Sequence, residues 1–181
     1  MRLLDVGLQR ARIKRAVKHV RSGSQILDIG CHQGELSSFV ALGRSHYFGI
    51  DPDLAVPAAN LVRGWFPDDV PTEWKESLFD HCVALAVLEH VPIGQLTGFL
   101  ESARGLLRPT GTLIATVPSP ATDRVLAVLH RLRLIDGMDL EAHDGLTLAQ
   151  LLDAAAEAGF RLLRHHRFQL GLNNLLIWER P

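Results

Sequence analysis

The segment of this sequence best suited to chemistry is DIGCHQGE, residues 28–35, which joins a short apolar run to a helical pattern. Gly30 and Gly34 let the main chain bend and approach a ligand without Cβ atoms in the way. The helix start behind them favours an anionic group. Because a parallel sheet opens a crevice where its strand order reverses, we expect this turn to line a ligand site.

A carboxylate at the end of the next apolar run supports the same site. Asp51 closes HYFGID, and a carboxylate there can accept two hydrogen bonds from neighbouring ribose hydroxyls. A nucleoside ligand is therefore predicted, the alternative being that Asp51 caps a turn with Pro52 and Asp53. The NAD fingerprint GxGxxG fits poorly, because His32 stands at its second glycine and Gly34 falls one residue short of its third.

Strand-like and helical patterns alternate along the chain, which is typical of a parallel sheet with helices on both faces. The predicted strands are 25–30, 46–51, 61–66, 79–88 and 112–117, and the predicted helices are 8–21, 35–42, 55–60, 93–107, 125–135 and 147–158. Residues 67–77 form an acidic, proline-rich loop. Thr147 with Gln150 predicts a capping box, and Gly159 is the expected C-terminal cap. The last two extended runs, separated by Gly171, predict a hairpin.

The composition predicts a soluble globular protein of one domain. The 181 residues are 47% hydrophobic and 22% charged, which excludes a disordered chain or a collagen. A net charge of -1 predicts no overall attraction to nucleic acid or to a membrane. The two cysteines and nine histidines show no metal-ligand spacing, so no metal is expected. The N-terminus has no signal-peptide core and no apolar run could span a bilayer, which predicts a cytoplasmic protein.

Five segments together resemble the successive motifs of class I S-adenosylmethionine-dependent methyltransferases. They are ILDIGCHQGEL, YFGIDPD, FDHCVALAVLEHVP, LRPTGTLIATVPSP and HDGLTLAQLLDAAAEAGFRLL, in that order. The resemblance implies an α/β fold with a doubly wound seven-stranded sheet in the order 3-2-1-4-5-7-6. Helices would cover both faces, and the terminal hairpin would supply the antiparallel edge strand. One domain would span 1–181, with an N-terminal helix in 1–23 and a substrate lid over 118–143.

The resemblance also assigns residues to a pocket for S-adenosylmethionine, whose product would be S-adenosylhomocysteine. They are Asp28, Gly30, His32, Gly34, Asp51, Pro52, Trp65, Phe66, Leu85 and Ala86. Those of the first turn would surround the methionine part, and Asp51 would hold the ribose. Trp65 and Phe66, after the third strand, would lie along the adenine. Leu85 and Ala86, of the fourth strand, would close the pocket. His32 replaces a common middle glycine, and Trp65 stands where an acid often meets the adenine.

Methyl transfer from a sulfonium is an in-line displacement, so the protein mainly has to position donor and acceptor and exclude water. No covalent protein nucleophile is needed. If the acceptor is a hydroxyl, an imidazole is suited to take its proton. His90, after the fourth strand, and His143, before the capping box, are the candidates. The alternative is that each of these loop histidines only caps or packs.

Three functions remain open at this point. The first is methylation of an oxygen, nitrogen or carbon of a small molecule. The second is methylation of nucleic acid or protein, for which an arginine-rich first helix and Arg161, Arg164 and Arg167 could supply a binding surface. Nucleic acid is disfavoured, because ALAVLEH lacks the NPPY-like sequence of enzymes that methylate exocyclic base amines. The third is a cofactor-binding inactive or regulatory domain, which the departures at His32 and Trp65 suggest.

Overall fold

The structure is a computed structural model of the chain, and it describes residues 3–40, 46–119 and 146–181. The seven strands are β1 (Ile26–Ile29), β2 (Tyr47–Asp51), β3 (Leu61–Arg63), β4 (Phe79–Leu85), β5 (Leu107–Pro118), β6 (Arg161–Phe168) and β7 (Asn173–Glu179). They form one sheet in the order β3-β2-β1-β4-β5-β7-β6. This order confirms the doubly wound sheet that the resemblance implies.

The predicted terminal hairpin is confirmed, and it closes one side of the sheet. Strands β1 to β5 are parallel, and β7 runs antiparallel between β5 and β6. The antiparallel strand β7 is therefore interior, and β6 is the edge strand on this side of the sheet. All of β6 up to Arg167 is exposed, and its sequence RLLRHHRF places arginines and histidines along that edge. Charged side chains on an edge strand discourage pairing with other chains.

The helices cover both faces of the sheet. They are α1 (Leu3–Ala16), α2 (Thr72–Glu76), α3 (Ile93–Leu106) and α4 (Leu148–Glu157). The capping box of α4 is confirmed, since the Gln150 N–H donates to Thr147 Oγ1 at 3.2 Å and the Thr147 N–H donates to Gln150 Oε1 at 2.9 Å. Gly159 follows α4 with φ +79°, the left-handed conformation expected of a C-terminal cap. None of the described helices has the length and apolar character that crossing a membrane requires.

Two predicted helices differ in the structure. Residues 55–60 form turns, because the Arg63 guanidinium binds the carbonyls of Leu54 and Ala55, which a helix would have used. The helical pattern of 35–42 begins as a four-residue 3₁₀ helix, Glu35–Ser38, and residues 41–42 lie outside the described part. Conversely, α2 lies in the predicted loop 67–77, where burial of Trp74 holds it against the core.

Other predicted boundaries shift by a few residues. β3 ends at Arg63, and β5 begins at Leu107, ahead of the predicted turn at 109–111. The predicted helix 125–135 lies outside the described residues. Of the predicted lid over 118–143, only Pro118 and Ser119 are described.

Two apolar layers hold the sheet in place. The layer between the sheet and helices α2, α3 and α4 contains Trp74, Phe79 and Trp178. The layer between the sheet and α1 contains Ile13 and Tyr47. Because both faces are covered, the central strands are buried along most of their length, as expected of a parallel sheet. The loops at the carboxyl ends of these strands therefore start from fixed positions.

Gly49 in β2 offers a test of this packing. An added Cβ there would lie 2.8 Å from Cys31 Sγ and 2.9 Å from Leu61 Cδ2. We expect Gly49→Ala to lower the free energy of unfolding by about 1–3 kcal/mol, because the buried neighbours must move to make room. Urea denaturation measures the change.

Gly98→Ala, in the middle of α3, is the matched control. An added Cβ at Gly98 meets nothing within 4 Å. There we expect a gain of about 0.5–1 kcal/mol, because alanine favours a helix over glycine. Equal losses at both positions would contradict the packing described around Gly49.

Candidate functional site

The strand order of the sheet reverses between β1 and β4. In sheets of this kind a ligand crevice lies at the carboxyl ends of the two strands where the order reverses. The chain leaves β1 through Gly30 and β4 through Ala86, and β2 ends beside them at Asp51. Residues separated by more than fifty positions in the sequence therefore meet at one edge of the sheet. The predicted cofactor residues of β1, β2 and β4 share this edge.

The turn after β1 uses the left-handed backbone conformation at three residues. Gly30 has φ +73°, His32 φ +50° and Gly34 φ +84°. A Cβ on Gly30 would lie only 2.4 Å from Cγ2 of Val87, which follows β4. The close approach that requires glycine at this position is therefore to a protein side chain. It packs the β1 turn directly against the β4 turn.

His32 occupies the position of the missing middle glycine without crowding the turn. Its N–H donates to Asp51 Oδ2 at 2.7 Å, and its imidazole Nδ1 lies 2.7 Å from Glu35 Oε1. The His32 side chain is 46% exposed. Partial burial alone would raise the pKa of Glu35, but hydrogen bonds from His32 and from backbone N–H groups outweigh it and lower that pKa. Glu35 is thus an ionised partner for His32.

The main-chain N–H groups of the turn after β1 bind acceptors within the protein. All five main-chain N–H groups from Gly30 to Gly34 donate to protein acceptors: two to the Ile50 carbonyl, and one each to Asp51, Glu35 and the Cys31 carbonyl. The Glu35 carboxylate itself occupies the start of the 3₁₀ helix. The hydrogen bonds of these N–H groups therefore stabilise the conformation of the turn.

Asp51 has the second of the two roles that the sequence leaves as alternatives, because its carboxylate caps a turn. Oδ2 accepts the His32 N–H at 2.7 Å and Oδ1 accepts the Asp53 N–H at 2.8 Å, so Asp51 does cap the turn through Pro52. An ionised carboxylate has about four lone-pair positions, so each oxygen retains the capacity for one further hydrogen bond. The Gln33 side chain ties the same two turns together, donating to the Asp53 carbonyl. The carboxylate is thus held in a fixed orientation at the end of β2.

Asp28 is buried in the middle of β1, with 4% of its surface exposed. The Tyr47 hydroxyl donates to Asp28 Oδ2 at 2.6 Å. Burial raises the pKa of Asp28 to about 7, the hydrogen bond from Tyr47 lowers it, and the nearby Glu35 and Asp51 carboxylates raise it further. Two carboxylates thus act on Asp28 at this edge, and a cation bound among the three groups would be stabilised.

The two aromatic residues assigned to the adenine point in different directions. The Phe66 ring packs edge to face on Phe99 of α3, with centroids 4.8 Å apart. Trp65 is 67% exposed, and its main-chain N–H donates to Asp69 Oδ2 at 2.7 Å. Trp65 is therefore the member of the pair available to a ligand, whereas Phe66 supports the turn from the core side. The sequence analysis missed Asp69, although it lies in the acidic loop.

The end of β4 and the residues after it contain two predicted cofactor residues and one of the two candidate bases. Ala86 has φ +59° and its N–H donates to the Thr116 carbonyl at 3.0 Å, while Leu85 ends the strand half-buried. His90 is exposed at the end of the 3₁₀ helix Leu88–His90. His143 lies outside the described residues. Of the two histidines considered as bases, the structure therefore positions only His90.

Tyr47, Glu35 and Val87 contribute to the site but are absent from the sequence prediction. Tyr47 contacts Asp28 because β1 and β2 pair with Ile26 opposite Tyr47 and Asp28 opposite Gly49, which puts both side chains on one face. This register depends on how the two strands pair, so the sequence of either strand alone does not predict the contact. Glu35 carried a possible signal, since it stands three residues after His32 at a helix start.

A known protein family matches this chain. The sequence profile of a family described as "Methyltransferase domain" matches residues 4–165, which is most of the chain. The chain belongs to this methyltransferase-domain family. The match extends from α1 through most of β6, so it covers every strand that borders the crevice.

A curated relative of this methyltransferase domain is the ubiquinone biosynthesis O-methyltransferase of Methylobacterium sp. (strain 4-46). The two are 28% identical over 133 residues, which is 68% of this chain and 53% of that protein. The chain thus spans about half the length of the curated relative it matches.

Solved structures show the same fold at low sequence identity. The 1,6-didemethyltoxoflavin-N1-methyltransferase of Burkholderia thailandensis, with its substrate and S-adenosylhomocysteine bound, has a TM-score of 0.64 at 15% identity, covering 94% of this chain and 77% of that one. The N-methyltransferase NodS of Bradyrhizobium japonicum WM9, in complex with S-adenosylhomocysteine, has a TM-score of 0.63 at 16% identity, covering 96% and 86%. These likenesses show the fold of the methyltransferase domain.

The raised pKa of Asp28 predicts how the stability of this domain depends on pH. The folded protein binds the Asp28 proton more tightly than the unfolded chain, so this group stabilises the fold less as the pH rises from about 4 to about 7. Between about pH 5 and pH 8 we expect the wild type to lose roughly 1–3 kcal/mol relative to Asp28→Asn. Urea denaturation at several pH values measures both.

Comparing the wild type with Asp28→Asn removes the pH dependence that other titrating groups give to both proteins. Burial lowers the pKa of His81 to about 4, which makes stability rise with pH in wild type and variant alike. Parallel stability profiles for the two proteins would show that Asp28 titrates in the same range folded and unfolded.

Proposed function

We propose that this domain is an S-adenosylmethionine-dependent methyltransferase that acts on a small molecule. The observation that carries the proposal is the fixed carboxylate of Asp51, which ends β2 next to the turn of Gly30 with acceptor capacity to spare. Family membership and the ligands named with the two structural neighbours support the same activity. The curated relative, named for O-methylation in ubiquinone biosynthesis, supports a small-molecule acceptor.

The residues of the crevice fit this cofactor in their chemistry. Asp51 offers carboxylate oxygens to a pair of ribose hydroxyls. Asp28, Glu35 and Asp51 supply negative charge for a ligand that carries a sulfonium and an ammonium group. Trp65 offers an exposed indole face, suited to stacking on a purine. His32 leaves the turn in the conformation of a glycine, so its presence does not argue against binding.

When bound, the cofactor supplies a methyl group on a positively charged sulfur, from which it is displaced in line. The chain's own contribution is to orient and to exclude water. The turn of Gly30 and the turn of Val87 pack in contact, which fixes the two turns relative to each other. His90, exposed beyond β4, is the described residue we assign to take a proton from the acceptor.

Asp51→Asn tests the proposed cofactor site. We expect it to weaken the binding of S-adenosylhomocysteine by about 1.5–3 kcal/mol, measured by calorimetry, because charge-assisted hydrogen bonds are lost. Asp53→Asn is the matched control, since it removes the same charge from an exposed neighbour, and it should change affinity by less than about 0.5 kcal/mol. Binding by both variants as tight as by the wild type would remove Asp51 from its role.

The inactive-domain alternative predicts a different combination of results. Such a domain would bind S-adenosylmethionine but produce no S-adenosylhomocysteine with any of a panel of hydroxyl, amine and carbon acceptors. Product formation with one acceptor, and its loss in Asp51→Asn, would support the enzyme.

A second candidate function rests on the basic surface where α1 meets β6. Burial lowers the pKa of His19, and so do the positive charges of Arg164, His166, Arg15 and Lys18, which places these groups near one another. Arg15, Lys18 and Arg164 thus contribute to one positive surface, although the whole chain is nearly neutral. Such a surface suits an anionic macromolecular acceptor.

The test of this second candidate is retention on immobilised RNA at increasing salt. If the surface holds nucleic acid, Arg164→Glu should reduce the slope of log affinity against log salt by about 1 for each phosphate that the variant no longer binds. Lys75→Glu, on α2 at the opposite face of the sheet, is the control and should leave the slope less affected. Passage of the wild type without retention would leave the small-molecule acceptor.

A further inference from the structure

Asp28 and Tyr47 form a buried carboxyl–phenol pair whose surroundings are apolar or acidic. Both residues are almost fully buried, and the Tyr47 hydroxyl donates to Asp28 Oδ2 at 2.6 Å. β4 places Val83 beside Asp28, and the described part of α1 contributes Ile13 and Ala16 to the same layer. The titratable groups that face the pair are those of Cys31, Glu35 and Asp51, with His32 bound to Glu35.

We propose that Asp28 and Tyr47 are specificity-determining residues that make the crevice sense the charge of its ligand. Asp28 keeps its proton when no cation is near and releases it to solvent when the positively charged methyl donor is bound. With the neutral sulfur of the product in place, Asp28 takes a proton back. This inference rests on the proposed function, because it assigns the crevice to a cofactor that loses one positive charge in the reaction.

The physical basis is the balance between desolvation and nearby charge. Burial and the carboxylates of Glu35 and Asp51 all raise the pKa of Asp28, to about 7. A cation in the same crevice acts in the opposite sense, since it stabilises the ionised form. Interactions between charges are stronger in a partly buried site than in water, so one unit of ligand charge is enough to displace a proton equilibrium.

Tyr47 sets the pH at which this exchange occurs. Burial and the adjacent Asp28 carboxylate raise the pKa of Tyr47, so it remains a neutral phenol and donates its proton in the hydrogen bond. That bond favours ionised Asp28 and lowers its pKa. Without the hydroxyl, ionisation of Asp28 would require a higher pH.

The chain contains a single tyrosine, which provides a direct readout of the pair. In protein labelled at tyrosine Cζ, one NMR resonance should titrate with Asp28, with its midpoint at a pH of about 7 in the absence of ligand. S-adenosylmethionine should lower this midpoint more than S-adenosylhomocysteine does. Asp28→Asn should abolish the titration, and a midpoint that neither ligand moves would overturn the proposal.

Ligand affinities provide the second readout. Between about pH 6 and pH 8, we expect the ratio of the S-adenosylhomocysteine Kd to the S-adenosylmethionine Kd to rise by about three- to tenfold. This rise corresponds to a difference of about 0.5–1 in the pKa of Asp28 between the two complexes. The ammonium group common to both ligands cancels in this ratio. Tyr47→Phe should move the rise to higher pH, and Asp28→Asn should flatten it. Asp53→Asn, a charge change outside the pair, should leave it in place.

Failure of this inference is distinguishable from failure of the proposed function. If wild type binds both ligands with a constant ratio across this pH range, the charge-sensing pair is wrong while the cofactor site stands. If neither ligand binds, the proposed function fails and the charge-sensing role fails with it. A ratio that rises in wild type but also, equally, in Asp28→Asn would assign the effect to another group and overturn the charge-sensing role of Asp28.

Discussion

The crevice depends on the main-chain hydrogen bonds that join the turn after β1 to the end of β2. The N–H groups of Gly30 and Cys31 both donate to the Ile50 carbonyl, and the N–H of His32 donates to the Asp51 carboxylate. These bonds require left-handed backbone at Gly30 and His32, which glycine adopts freely and histidine at a modest cost. The orientation of Asp51 follows from them.

The same bonds occupy the main-chain N–H groups of the turn. Every N–H from Gly30 to Gly34 has a protein acceptor, and the Glu35 carboxylate lies where an external anion would bind. The electrostatic character of the crevice therefore comes from carboxylates. A ligand with positive charge and hydroxyl groups suits such a crevice, whereas a pyrophosphate would meet like charges.

The burial of Asp28 is the least favourable feature of the site in isolation. A carboxyl group with almost no contact with water resists ionisation, and among the described residues the hydrogen bond from Tyr47 favours its charged form. Apolar residues of β4 and α1 belong to the same layer of the core. Such a group responds to any charge that enters the crevice, which links packing of the β1–β2 pair to ligand binding.

The sequence by itself determined the seven strands along the chain, the capping box at Thr147, the terminal hairpin and the positions of Gly30 and Asp51 at the ends of strands. These are local properties, since apolar periodicity, turn residues and caps act over a few neighbouring positions. Two local predictions failed because of contacts outside the segment. Hydrogen bonds from Arg63 replaced the helix predicted over 55–60, and the Phe66 ring packs on Phe99.

Tertiary structure alone decided the contacts that give the site its character. The pairing register of β1 with β2 brought Tyr47 to Asp28, and the packing of two turns brought Val87 to Gly30. It also set how much of the hydrogen-bonding capacity of Asp51 remains for a ligand. Hydrogen bonding and desolvation at these residues depend on atoms distant in the sequence, and so no pattern read along the chain contains them.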